Sequence, residues 1–230
     1  MGDANLVGDL HGRLIVFDLD GTLVDSRRDL ADSANQLIAE LGGAPLSEEA
    51  IGRMVGEGAA LLVQRALAAA GVGDRPGALQ RFLAIYDARL LDHTHAYDGI
   101  PDAIAAARRH ARLAVLTNKP AAATARVLEG LGLRAAFDDV IGGDAAWPRK
   151  PDPAALLDLA ARAGATPARA LLVGDSAVDH ETALRAGARC CLASYGFGYA
   201  TFPAERLTGH EWVVRTPAEL PAVFDAFTVA

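Results

Sequence analysis

Six short runs punctuate this chain, and five of them are apolar almost throughout: Leu14–Phe17, Leu113–Leu116, Leu171–Val173, Arg189–Ala193 and Trp212–Val214, with the shorter Val140–Ile141 as the sixth. A strand with one wet face alternates apolar and polar residues. These runs do not alternate, so as strands they need cover on both faces. Ala/Leu-rich stretches with helical spacing lie between them. The expectation is an α/β chain built on a parallel sheet with helices on both faces.

The spacing of the first two runs adds a second constraint. Leu113 follows Phe17 by about 95 residues, far more than one crossover helix requires. Helical spacing recurs inside that interval, at Arg28–Leu41, Ala59–Ala70 and Ala78–Leu91. Ser47-Glu48-Glu49 reads as a helix start, and Gly42-Gly43 and Gly71 read as stops. An all-helical insertion over 25–95 is expected, joined by strand-like linkers to a core made of 1–24 and 96–230.

Composition narrows the function classes. The chain has 230 residues, 29 acids against 22 Lys plus Arg, and a net charge of −7. No basic run is present, which argues against a nucleic-acid partner. Cys190 and Cys191 are adjacent and read as small buried apolar residues, and His93 and His95 read as solvent-facing. The opening MGDANLVGDLHGR shows no basic leader with an apolar block, and no long apolar span follows. A soluble, cytoplasmic protein with no membrane partner is expected, as a monomer or homodimer.

Polar residues gather where the runs end. The first run, IVF, stops at Asp18-Leu19-Asp20-Gly21-Thr22, and the second at Thr117-Asn118-Lys119-Pro120. Arg149-Lys150-Pro151-Asp152 precedes a helical stretch, and the fourth run ends in Gly174-Asp175-Ser176 with Asp179 beyond. Ligands of open parallel sheets bind outside the carboxyl ends of the strands, so these four segments define one edge. Two carboxylates two residues apart repel by roughly 3 kcal/mol at about 5 Å and an effective dielectric near 20. A cation or a proton has to offset that repulsion. Asp18, Asp20, Asp175 and Asp179 face Lys150 alone in this count, so a phosphate dianion needs a divalent ion, and the oxygen-rich donor set suits Mg²⁺ better than zinc.

These motifs resemble the haloacid dehalogenase superfamily: DLDGT at 18–22, Thr117, Lys150 in RKPDP, and GDSAVD at 174–179, with a type-1 helical cap inserted after the first. Within it, VGEGAALLVQRAL at 55–67, NKP at 118–120 and SYGFGY at 194–199 resemble phosphoglycolate phosphatases. The resemblance implies a Rossmann-like core and hydrolysis of a small phosphorylated metabolite. It implies Asp18 as nucleophile and Asp20 as general acid/base. Phosphate would be held by Gly21, Thr117, Asn118 and Lys150, and Mg²⁺ by Asp18, the Asp20 carbonyl and Asp175, with Asp179 in support. Backbone N–H groups of Gly21 and Asn118 are expected to point into the phosphate. Ser176 is expected to orient Lys150 or the metal shell. Gly56 and Gly58, and Arg65 as a partner for a substrate carboxylate, are candidates for substrate selection. Another sugar phosphate or nucleotide, a β-phosphoglucomutase-like transfer, hydrolytic dehalogenation and a receiver-like signalling module remain the alternatives.

Overall fold

The computed structural model describes residues 12–229, so the opening segment read above falls outside it except at its last two positions. β1 (Leu14–Phe17) is followed by β2 (Val24–Asp25), α1 (Arg27–Glu40), α2 (Glu48–Gly52), α3 (Ala59–Ala69), α4 (Ala78–Asp87) and β3 (His95–Ala96). The chain continues through α5 (Ile100–Ala107), β4 (Arg112–Leu116), α6 (Ala121–Gly130), β5 (Asp139–Ile141) and α7 (Ala154–Arg162). It closes with β6 (Ala170–Gly174), α8 (Ala177–Ala186), β7 (Arg189–Ala193), β8 (Trp212–Val214) and α9 (Leu220–Val229).

Six strands form one parallel sheet in the order β5-β4-β1-β6-β7-β8. All four side chains of β1 are buried, and they divide by parity. Ile15 and Phe17 join Leu113, Val115, Leu171 and Val173 in one apolar cluster, and Phe17 meets Phe137 and Phe224 edge-on with ring centroids 6.1 Å apart. Leu14 and Val16 join Ala114, Leu116, Leu172 and Leu192 under Leu156 and Leu159 of α7 on the other face. Double-sided burial is the physical reason the runs do not alternate. The chain builds outward from β1 through β4 to β5, then returns beside β1 with β6. The direction of winding therefore reverses around the carboxyl ends of β1, β4 and β6, the place where such sheets hold ligands.

Between β2 and β3 the described chain contains four helices and no strand of the large sheet. Ser47 caps α2, its hydroxyl accepting from Ala50 N–H at 3.2 Å, and Gly42 and Gly71 follow the ends of α1 and α3. The two linkers pair antiparallel, Val24 with Ala96 and Asp25 with His95. A fully buried acid on α1, Asp29, fastens the second linker: it accepts from Thr94 N–H at 2.8 Å, the Thr94 hydroxyl at 2.7 Å and His93 N–H at 3.0 Å. Among the described residues no helix is long and apolar enough to cross a membrane. Cys190 and Cys191 are buried free thiols, and His93 and His95 are exposed.

Candidate active site

The ladder of β1 runs one residue past the strand, where Asp18 N–H donates to Val173 C=O at 2.9 Å. The chain then turns. Thr22, Leu23 and Val24 all donate their N–H groups to Leu19 C=O, so Asp20 stands on a turn rather than on the strand. This corrects the picture of two carboxylates on one strand face, and it alters how their repulsion is offset. Each acid has its own lysine. Lys150 Nζ lies 2.9 Å from Asp18 Oδ1, while Lys119 Nζ lies 3.0 and 3.2 Å from the two Asp20 oxygens. The Ser26 hydroxyl donates to Asp20 Oδ1 at 2.6 Å. Four carboxylates therefore face two ammonium groups, not one.

Lys150 is also 2.5 Å from Asp179 Oδ1. Asp179 is held on its other oxygen by a capping box at the start of α8, accepting from Ser176 N–H at 3.1 Å and the Ser176 hydroxyl at 2.6 Å. Ser176 thus reaches Lys150 only through Asp179. Burial works against the charge on Lys150, but Asp179 and Asp18 outweigh it, and its pKa stands above the usual lysine value. Burial raises Asp18 to about 6; Lys150 opposes the shift and Asp179 adds to it. Asp175 is raised well above its ordinary value, by burial and then by Asp179 and Asp18.

Three buried acids, two of them with raised pKa values, form a group suited to a cation. Asp18, Asp175 and Asp179 each present an oxygen, and these oxygens lie within 4.8 Å of one another. Asp18 Oδ1 meets Lys150 as a charge pair without hydrogen-bond geometry and is otherwise a buried oxygen with no partner. Both Asp179 oxygens are committed, so the spare capacity belongs to Asp18 and Asp175. All-oxygen donors suit a hard divalent ion.

Gly21 has a different task from the one its sequence suggests. Its N–H donates to Val24 C=O at 2.9 Å and does not face a phosphate. The residue has φ +90°, and a Cβ there would stand 1.9 Å from Asp175 Oδ2. The glycine makes room for a carboxylate. Gly196 and Gly198 enclose the same group, and Gly198 N–H donates to Asp175 Oδ2 at 2.7 Å.

Thr117 and Asn118 follow β4 directly, both buried. The Thr117 hydroxyl accepts from Lys119 N–H at 3.2 Å. The Asn118 carboxamide is spent on the main chain: it donates to Gly56 C=O at 2.9 Å and Lys150 C=O at 3.0 Å, and accepts from Lys150 N–H at 3.0 Å. One side chain thus joins three loops. A cavity of about 280 Å³ opens over Asp18, Asp20, Thr117 and Asn118, with Gly56 and Gly58 on its wall. Arg65 is a correction. Its guanidinium is bound to Glu57 at 2.5 Å on the surface and takes no part in the cavity.

Sequence reasoning missed Lys119 and Tyr86. Lys119 was visible as the third residue after β4, but a lysine beside a proline reads as a solvated loop residue. In the structure it is buried between Asp20 and the Tyr86 hydroxyl, with Nζ 4.5 Å from the Tyr86 ring centroid. Burial opposes its charge, and Asp20 and Tyr86 reverse the effect, leaving its pKa above the usual lysine range. Tyr86 stacks on Phe82, and burial pushes its hydroxyl up to about 12, so it keeps its proton.

Residues 15–193 match the family described as haloacid dehalogenase-like hydrolase. The chain belongs to this family. Among haloacid dehalogenase-like hydrolases, it is 46% identical over 194 residues to a phosphoglycolate phosphatase of Rhodospirillum rubrum, covering 80% of each chain. It is 36% identical to a phosphoglycolate phosphatase of Caulobacter vibrioides over 93% of this chain and 91% of that one. A crystal structure from Haemophilus somnus, described as a predicted phosphoglycolate phosphatase, superposes with a TM-score of 0.85 at 29% identity, covering 92% of this chain and 97% of the other. The family resemblance read from the four motifs and the parallel-sheet fold class both hold, and the chain is a hydrolase.

Proposed function

We propose that the chain is a Mg²⁺-dependent phosphatase acting on small phosphate monoesters, with 2-phosphoglycolate as its first substrate. The observation that carries this reading is the buried group of Asp18, Lys150, Asp175 and Asp179 beneath the cavity, in which one carboxylate oxygen has no hydrogen-bond partner. Relatives named phosphoglycolate phosphatase support the choice of substrate. Asp18 and Asp175, with the Asp20 main-chain carbonyl, would hold Mg²⁺, and Asp179 would support them through Lys150. When bound, Mg²⁺ shields the charge between a carboxylate nucleophile and the phosphoryl oxygens.

Asp18 attacks phosphorus, the P–O bond to the alcohol breaks, and the phosphoryl group passes to the carboxylate. Asp20 gives its proton to the leaving oxygen. It then takes one from the water that hydrolyses the aspartyl-phosphate, which releases phosphate and restores Asp18. Thr117, the Asn118 main-chain N–H and Lys150 hold the transferring group. Residues 25–95 act as a cap over this centre, with 1–24 and 96–230 as the core, and the paired linkers β2 and β3 are its attachment. The protein works in the cytoplasm without a nucleic-acid partner.

Phosphate release from a panel of 2-phosphoglycolate, sugar phosphates and nucleoside monophosphates tests the reading. Turnover is expected with Mg²⁺ and not with EDTA. Asp18→Asn should reduce turnover to background and abolish trapping of beryllium fluoride. Undiminished turnover in Asp18→Asn, or in EDTA, would refute the mechanism, and an aspartyl-phosphate lasting hours would favour a signalling module.

A further inference from the structure

The phosphoryl-transfer steps leave one buried cation without a contact to substrate. The cavity wall away from the phosphate end is apolar, formed by Leu30, Val55, Leu62, Phe82, Leu83 and Leu90. Among the described residues, its charged side chains are the acids Asp18, Asp20 and Asp87 and a single base, Lys119. Apart from the uncharged Thr117, Asn118 and Tyr86, an anionic group on the alcohol part of a substrate would otherwise meet hydrocarbon or negative charge, and a buried charge without a partner is strongly disfavoured. Lys119 is therefore the position in this cavity where such a group can be neutralised.

The local geometry agrees. An ammonium has three N–H donors. Its contacts are the two Asp20 oxygens, at 3.0 and 3.2 Å, and the Tyr86 hydroxyl; a ligand carboxylate that takes the place of the longer Asp20 contact still leaves Asp20 one bond to the ammonium. Tyr86 accepts from Lys119, so its own O–H proton is also available, and both residues line the cavity. Lys119 Nζ stands 3.0 Å from the carboxyl group assigned to the leaving oxygen. In the O-phosphate of a 2-hydroxy acid, the carboxylate is bonded to the carbon that bears this oxygen, which brings it beside the same ammonium.

We propose that Lys119 and the Tyr86 hydroxyl form the site for a substrate carboxylate adjacent to the ester carbon, so that the cavity selects O-phosphates of 2-hydroxy acids over other monoesters. This rests on the phosphatase reading and goes beyond it by naming the group that confers selectivity. It also assigns to α4 and the β4 loop the role that Arg65 does not fill.

The test compares kcat/KM for 2-phosphoglycolate and for ethyl phosphate, which has the same skeleton without the carboxylate, in wild type, Lys119→Met and Tyr86→Phe. Wild type should prefer 2-phosphoglycolate, and Lys119→Met should lose about 10–100-fold of that preference, the worth of a hydrogen bond to a charged group. Tyr86→Phe keeps the ring stack on Phe82 and removes only the hydroxyl. It should raise KM for 2-phosphoglycolate several-fold more than KM for ethyl phosphate. Equal losses on both esters in Lys119→Met, with no selective effect in Tyr86→Phe, would reduce Lys119 to a positioning residue for Asp20 and overturn the proposal. A wild type that hydrolyses both esters equally well would also overturn it. A wild type inactive on every ester would instead remove the phosphatase reading, and this inference with it.

Discussion

The floor and the roof of the cavity are made of opposite materials. The floor, at the carboxyl ends of β1, β4 and β6, is buried charge: Asp18, Asp175 and Asp179 around Lys150. The roof, contributed by α1, α3 and α4, is Leu30, Leu62, Phe82 and Leu83, with Tyr86 as its polar contact to the floor. The floor is unfavourable by itself and becomes favourable with its ligand. The roof is stable by ordinary burial and gains little from a ligand's charge. Stability should therefore depend on pH and cation in one region and on neither in the other.

Two substitutions of similar size would separate the regions. Lys150→Ala removes the ammonium from among three buried acids and should destabilise the chain by about 3–5 kcal/mol, the scale for leaving buried charge unpaired. Mg²⁺ should restore much of that loss. Leu62→Ala, at a roof position 3% exposed, should lose about 2–5 kcal/mol through the cavity it leaves. Mg²⁺ should not change that value. Thermal melts with and without Mg²⁺ decide the matter, and equal cation responses from the two variants would break the comparison.

The next effect is set by pH. Asp18 ionises at about 6 in the folded chain, against 3.8 in the unfolded one. Between those values the unfolded chain has released the proton that the folded chain retains, so this group's contribution to stability falls as pH rises from 4 to 6. The change is about 3 kcal/mol, taking 1.36 kcal/mol per pKa unit. In EDTA, the stability difference between wild type and Asp18→Asn should shift against wild type over this window, and Mg²⁺ should offset the shift by favouring the ionised carboxylate. A difference that stays flat with pH would contradict the assignment.

The smallest effect belongs to Arg65. Its exposed pair with Glu57 is worth about 0–1 kcal/mol, so Arg65→Ala should leave the melting temperature within a few degrees and kcat/KM nearly unchanged. A large loss of activity would return it to the site.

The same contrast explains what could be read from the chain. The strands were legible because burial on both faces removes the polar residue from every second position, and Leu14–Phe17, Arg189–Ala193 and Trp212–Val214 end where the runs end. Asp18 and Asp175 were legible because charges placed straight after buried runs are costly and need a reason, and Lys150 and Asp179 through their place in the RKPDP and GDSAVD motifs. Lys119 was harder to see, since its burial depends on Tyr86 of a helix about 30 residues earlier, and helical spacing makes a tyrosine look like core. Nothing in the sequence marks Asp29, because its partners belong to a linker more than 60 residues away. Arg65 misled because Glu57, eight residues away, claims it across a loop.

Asp175 sits in a slot walled by Gly21, Gly196 and Gly198, with one oxygen already pinned by an amide. Its rotamer was fixed when the chain folded, so an arriving ion has no side-chain freedom left to freeze at that position. A methyl group at residue 21 would turn this ready-aimed oxygen away, giving a protein whose sheet still assembles but whose grip on a divalent ion has lost its second anchor.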